Sequence, residues 1–183
     1  MVENQLTAAA LRLARSWCEG HEIGGEPALA HALRVVDVLG RHAPDAPPDV
    51  VAAVLLHDSP DLVPAGVDLD ATLTVLLSAE VARLVRALQH EHDGLDDGAV
   101  VAPPVNDPHL MLASAADKIV SVQAVLARAD AADSSAANRA KRPGFIAALE
   151  YFRAFTHAGR DVLPESMTDE LDRLVSNAEA IHG

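Results

Sequence analysis

Apolar positions fall along this chain in blocks at helical spacing, separated by breaks rich in Gly, Pro and Asp. From about Asn4 to Cys18, Leu6, Ala10, Leu11, Leu13 and Trp17 form one stripe, which Gly20, Gly24 and Gly25 close. Pro27 then sits where the first turn of a second helix places it. Ala28 to Leu39 carries Leu29, Leu33, Val36 and Leu39 before Gly40. After "APDAPP", Asp49 caps a third helix over Val50 to His57 or slightly beyond, limited by Pro60 and Pro64. Asp68 or Asp70 opens a short helix to Leu77. Ser78 caps an amphipathic one, "SAEVARLVRALQH", with Val81, Leu84, Val85 and Leu88 on one face. "EHDGLDDGAVVAPPVND" reads as a long polar loop. Asp107 and Pro108 then start a mostly apolar central helix reaching Arg128, with Asp117 in its middle. "ADAADSSAANRAKRPG" reads as a loop before helices over Pro143 to Ala158 and Thr168 to Ile181. No internal repeat or domain linker interrupts the pattern, so residues 1–183 are expected to form a single all-α domain.

Composition agrees. With 183 residues, half of them apolar, the chain can build one well-buried core. Aromatics are only 3%, and β-branched residues such as Val50, Val51 and Val54 keep helical spacing. The net charge of −13 argues against a nucleic-acid or anionic-membrane partner, which needs clustered Lys and Arg. A phosphate substrate stays open, because a divalent metal can supply positive charge locally. A lone cysteine, Cys18, forms no internal disulfide. No apolar stretch approaches the roughly 20 residues of a membrane span, and "MVENQ" lacks the start of a signal peptide. A soluble, cytoplasmic protein is expected.

Several polar residues violate the apolar pattern. His31 lies among Ala28, Leu29, Ala30, Ala32 and Leu33, and alone it reads as a satisfied core histidine. His57 and Asp58 end an apolar helix, diverging by about 100° if that helix is regular. Asp61 follows at i+4 and i+3 from them, spacings that share a face; polar punctuation of a helix end is the other reading of both aspartates. Asp117 is flanked by Ala113, Ala115, Ala116, Ile119 and Val120, where an unpaired carboxylate is costly. Lys118, its neighbour, faces away, which leaves a metal or a distant arginine as its partner. His90 and His92 in "QHEHDG" read as a solvated helix end or a surface metal site. Arg139, Lys141 and Arg142 form the one basic cluster, either a plain loop or one that closes over phosphates. Met111 and Trp17 read as core. Cys18 carries no signature of a nucleophile, and no Gly-x-Ser-x-Gly or P-loop pattern occurs.

The order His31, then the His57-Asp58 pair, then the mid-helix Asp117 resembles the HD-domain metal-dependent phosphohydrolases. It is most similar to the RelA/SpoT-type guanosine polyphosphate (ppGpp) hydrolases and their small stand-alone relatives. Four segments carry the likeness in order: "GEPALAHALRVVDVLG", "VVAAVLLHDSPDLVP", "LSAEVARLVRALQ" and "ASAADKIVSVQAVL". The resemblance implies an all-α HD-domain helical bundle with one divalent ion held by His31, His57, Asp58 and Asp117. Manganese is the ion it favours; the donor set of imidazoles and carboxylates also suits Fe, Co, Ni or Zn. It further implies hydrolysis of a small phosphorylated nucleotide. The family's adjacent Glu-Asp pair after His-Asp is Asp61 and Leu62 here, which leaves Asp61 to assist the water. The family's basic segment before Gly-Glu-Pro is replaced by His21, Glu22 and Ile23, and its Asn four residues after the helical Asp by Ser121. The alternative implied by these departures is a catalytically inactive HD module that binds metal or nucleotide as a sensor or structural element.

Overall fold

The computed structural model describes residues 2–99, 101–131 and 143–182. Among them run nine helices: α1 (Val2–Trp17), α2 (Ala28–His42), α3 (Pro48–Leu55), α4 (Ser59–Leu62), α5 (Leu69–Leu76), α6 (Ala79–Asp96), α7 (Pro108–Ala131), α8 (Pro143–Gly159) and α9 (Glu165–His182). The chain is all-α apart from one hairpin, β1 (Glu22–Ile23) and β2 (Glu26–Pro27). The basic residues Arg139, Lys141 and Arg142 lie outside the described residues.

Capping chemistry starts three helices as their sequences require. Asp68 accepts from the Ala71 N–H, Ser78 from Val81 and Asp107 from Leu110, each satisfying an otherwise orphaned donor. Asp49 does not cap. Pro47 holds the N-cap position of α3, and the Asp49 carboxylate instead accepts a hydrogen bond from the Ser78 hydroxyl, joining the starts of α3 and α6.

Four expectations are corrected. Gly24 and Gly25 do more than end α1: both have positive φ, +60° and +86°, and they form the two-residue turn of the antiparallel hairpin, where a primed turn matches strand twist. The buried face of α2 is Ala28, His31, Ala32, Val35, Val38 and Leu39. Leu33, expected inside, is 44% exposed, so the helix is rolled to put His31 in the core. The polar segment after His90 is not a loop at its start, because α6 continues to Asp96. Glu91 is buried there with partners, and the Val101 side chain packs so close to Gly94 that a Cβ would meet it at 2.7 Å. Finally, Pro108–Arg128 is long and apolar enough to cross a membrane, with hydropathy 1.5, although 61% of the relevant window is buried within the fold.

That burial follows from position, since α7 packs against α2, α3, α6 and α9. Ala113, Ala115, Ala116, Ile119, Val120 and Val122 are all fully buried, on every side of the helix, the pattern of a central helix. Two charges interrupt it, and they are adjacent: Asp117 and Lys118.

Lys118 is buried to 1% exposure and fully partnered. Its Nζ lies 2.9 Å from Glu91 Oε1 and donates to Ser114 Oγ at 2.7 Å, while Ser114 donates to Glu91 Oε2 at 2.7 Å. The Tyr151 hydroxyl also donates to Glu91, and Lys118 Nζ sits 4.7 Å from the Phe155 ring centre, within cation–π range. Burial pushes the Glu91 carboxyl upward, but Lys118, Tyr151 and Ser114 outweigh it and hold the group below the usual Glu range. Removing one partner strands the other charge. Lys118→Met is expected to cost about 3–5 kcal/mol of stability, measured by urea denaturation; a loss under about 1 kcal/mol, the value of an exposed pair, would show that the pair is not structural.

Candidate metal centre

The centre is built where three elements meet. His31 comes from the buried face of α2 and Asp117 from the middle of α7. His57 and Asp58 lie neither on α3 nor on α4 but in the turn between them, because α3 stops at Leu55. The regular-helix divergence expected of the pair therefore does not apply. The turn is held by backbone bonds from Ser59 N–H to the Leu56 carbonyl and from Asp61 N–H to the Asp58 carbonyl.

The four residues read from the sequence are brought together. His57 Nε2 lies 3.1 Å from Asp58 Oδ2 and 3.5 Å from Asp117 Oδ1; His31 Nε2 lies 3.9 and 3.6 Å from the same two oxygens. Ligand atoms of His31, His57 and Asp58 all fall within 4.8 Å of one another. Ligands about 2.0–2.2 Å from one first-row ion are themselves roughly 3.0–3.5 Å apart, so these separations match a shared ion to within a few tenths of an ångström. His31, His57 and Asp117 are buried.

The hydrogen bonding points the same way. His57 Nδ1 is 2.7 Å from the Val54 carbonyl and donates to it, which fixes the tautomer and leaves Nε2 with its lone pair facing the cluster. Yet His57 Nε2 and Asp58 Oδ2, both buried, have no hydrogen-bond partner among the described residues, even at 3.1 Å from each other. Two buried electron-pair donors facing each other off hydrogen-bond alignment call for a cation beside both. The donor set fits a first-row divalent metal better than Mg or Ca, which take oxygen ligands.

Asp117 is not paired with an arginine among the described residues. Burial favours its protonation, but His31, His57 and His92 override that and hold its carboxyl well below the usual range. Ser121 Oγ is a looser neighbour at 3.5 Å. Asp61 stands apart from the other four: it is exposed on the single turn of α4, and its side chain makes no ion pair with the cluster among the described residues. Leu62 packs against the core.

Two further residues join the centre. His92, which the sequence leaves as a solvated helix end or a surface metal site, has Nε2 3.1 Å from Asp117 Oδ2, whereas His90 is exposed. The signal was present: the stripe Val81, Leu84, Val85, Leu88 continues at i+3 and i+4 to Glu91 and His92. Glu26 reaches His31 Nδ1 at 3.5 Å from the hairpin, and only the Gly-Gly turn could have announced that strand. Beside His31 a cavity of about 160 Å³ is walled by Ile23, Ser121, Val125, Arg128 and Phe152. Whole-ligand pockets run to roughly 300–1,000 Å³, so this one accommodates part of a nucleotide-sized molecule. Arg128 donates to the Gly24 carbonyl at its rim.

No family model matches the chain, and no curated protein matches it in sequence. Its all-α fold nevertheless matches a solved HD-type helical bundle. Among solved structures, that of a metazoan ortholog of SpoT, which hydrolyses ppGpp, matches over 94% of both chains with a TM-score of 0.67 at 14% identity. This likeness establishes the fold.

Where no ion is bound, the same carboxylates favour a proton on the His57 imidazole. Burial alone would depress the His57 pKa, but the Asp58 and Asp117 carboxylates and the Val54 carbonyl raise it to about 9, from an ordinary 6.5 or so. A raised folded pKa stabilises fully below the unfolded value, and the gain is lost as pH rises through the folded one. In chelator, the melting temperature is therefore expected to fall from about pH 6.5 through about pH 9. A profile identical to that of His57→Gln would count against this origin.

Proposed function

We propose that the chain is a metal-dependent phosphohydrolase, a single HD domain over residues 1–183 that acts on a small phosphorylated nucleotide such as the guanosine polyphosphate ppGpp. The observation that carries this reading is the pair of orphaned buried atoms, His57 Nε2 and Asp58 Oδ2, inside the fold of a ppGpp hydrolase. His31, His57, Asp58 and Asp117 would hold one divalent ion, with manganese first among Mn, Fe, Co, Ni and Zn. Such an ion supplies Lewis-acid polarisation of a phosphoryl oxygen and acidifies water.

The chain's own residues supply the rest. Glu26 and the Val54 carbonyl orient the two imidazoles from behind. The cavity beside His31 receives the part of the substrate distal to the reacting phosphoryl group. Asp61, one hydrogen-bonded turn beyond Asp58 and open to solvent, takes a proton from the attacking water. Manganese-dependent release of phosphate or pyrophosphate from ppGpp is the expected activity. Asp58→Ala is expected to abolish it and Asp61→Ala to lower kcat by about 10²-fold or more; unchanged turnover in Asp61→Ala would remove that residue from the mechanism.

A second reading has its own support. Asp61 lies outside the buried cluster, and the neighbouring acidic position of the family has become a packing residue, Leu62. A binding module without turnover would bind its nucleotide and raise the melting temperature, yet leave the ligand intact after prolonged incubation with manganese.

A further inference from the structure

Asp117 is divided between two sets of partners. Its Oδ1 faces His31 and His57 at 3.6 and 3.5 Å, while Oδ2 lies 3.1 Å from His92 Nε2 on α6. The His92 ring stands edge-on to His57, with centroids 6.1 Å apart. Its side chain is 30% exposed, so it closes the rim of the cluster and adds little to the core.

A neighbouring residue on each helix explains why this contact is specified. Glu91 and Lys118 form the buried pair described above. Adjacent helical residues point about 100° apart, so engaging Glu91 with Lys118 on the core side turns His92 toward Asp117 on the open side. The register of α6 on α7 is thereby set by one internal ion pair, and the imidazole arrives at the carboxylate as a result.

We propose that His92 is a positioning residue of the metal centre: by donating a hydrogen bond from Nε2 to Asp117 Oδ2, it holds that carboxylate with Oδ1 presented to the ion. The inference rests on the metal-centre reading of Asp117. A free carboxylate rotates and can turn either oxygen inward; one whose outer oxygen is held has lost that freedom before the ion arrives. Outer partners of this kind are worth about 10- to 100-fold in metal affinity.

The test uses the full chain and Mn(II) alone, with affinity measured by titration calorimetry and with unfolding followed in the absence of metal. Asp117→Ala is the control for the centre itself. His92→Ala is expected to weaken Mn(II) binding by about 10- to 100-fold with helix content unchanged and the metal-free melting temperature lowered, since a partner of the buried Asp117 carboxylate is lost. His92→Gln, whose amide N–H can also donate to Asp117, is expected to recover most of that loss. Wild-type affinity in His92→Ala, with the ion lost in Asp117→Ala, would overturn the positioning role and leave the centre standing. His92→Gln binding as weakly as His92→Ala would overturn it too, since only the imidazole would then serve. If wild type takes up no Mn(II) or other first-row ion, the reading of the centre falls and this inference with it.

Discussion

A carboxylate buried in the middle of the central helix is the constraint on which the rest of this molecule depends. Asp117 is tolerable in the core only because three imidazoles from two other helices and the α3–α4 turn converge on it. Satisfying it dictates the roll of α2 that buries His31, the early end of α3 at Leu55 that frees His57 and Asp58 to turn inward, and the continuation of α6 past His90. Two of these carry a local cost: α2 exposes Leu33, and α6 runs through Gly94. Local preference yields to the demand of one buried charge.

The electrostatic layout follows from the same point. Among the described residues, a chain of net charge −13 groups its buried charges around Asp117 and Lys118 into two adjoining cells on neighbouring faces of α7. The inner cell, Glu91 with Lys118, is closed by Ser114, Tyr151 and Phe155 and is balanced in charge. The outer cell places the Asp58 and Asp117 carboxylates among His31, His57 and His92, and its balance depends on what the imidazoles carry. The first has no requirement beyond itself, whereas the second is completed by a proton or a metal ion.

How much of this was legible in the sequence depends on the residue. Caps at Ser78 and Asp107 and the apolar body of α7 could be read directly, and the cap of α5 was narrowed to Asp68 or Asp70, because capping and periodicity are local. His31, His57, Asp58 and Asp117 stood out as polar residues in apolar surroundings, and the structure brings them together. The face of α2 was misread because periodicity favoured large side chains at Leu29, Leu33 and Val36, while packing selected the smaller stripe through Ala28, Ala32 and Val35. Small residues allow the close approach of α7 that brings His31 to Asp117. The partners of Glu91, His92 and Lys118 were not legible for a different reason. A charged residue at a core position looks like the end of a helix until its partner is known, and each partner lies on another helix.

The two contacts between α6 and α7 also bear on how such a sequence can drift. Glu91 and His92 are consecutive, as are Asp117 and Lys118, and the signs alternate so that a slip of one residue would set the Glu91 carboxylate toward Asp117. A deletion inside α6 between its Ser78 cap and Glu91 would rotate the downstream face by about 100° and break both pairs at once. The spacing from Ser78 to His92 is therefore fixed by the two pairs it must align, whereas a change of length beyond Asp97 leaves both pairs in register.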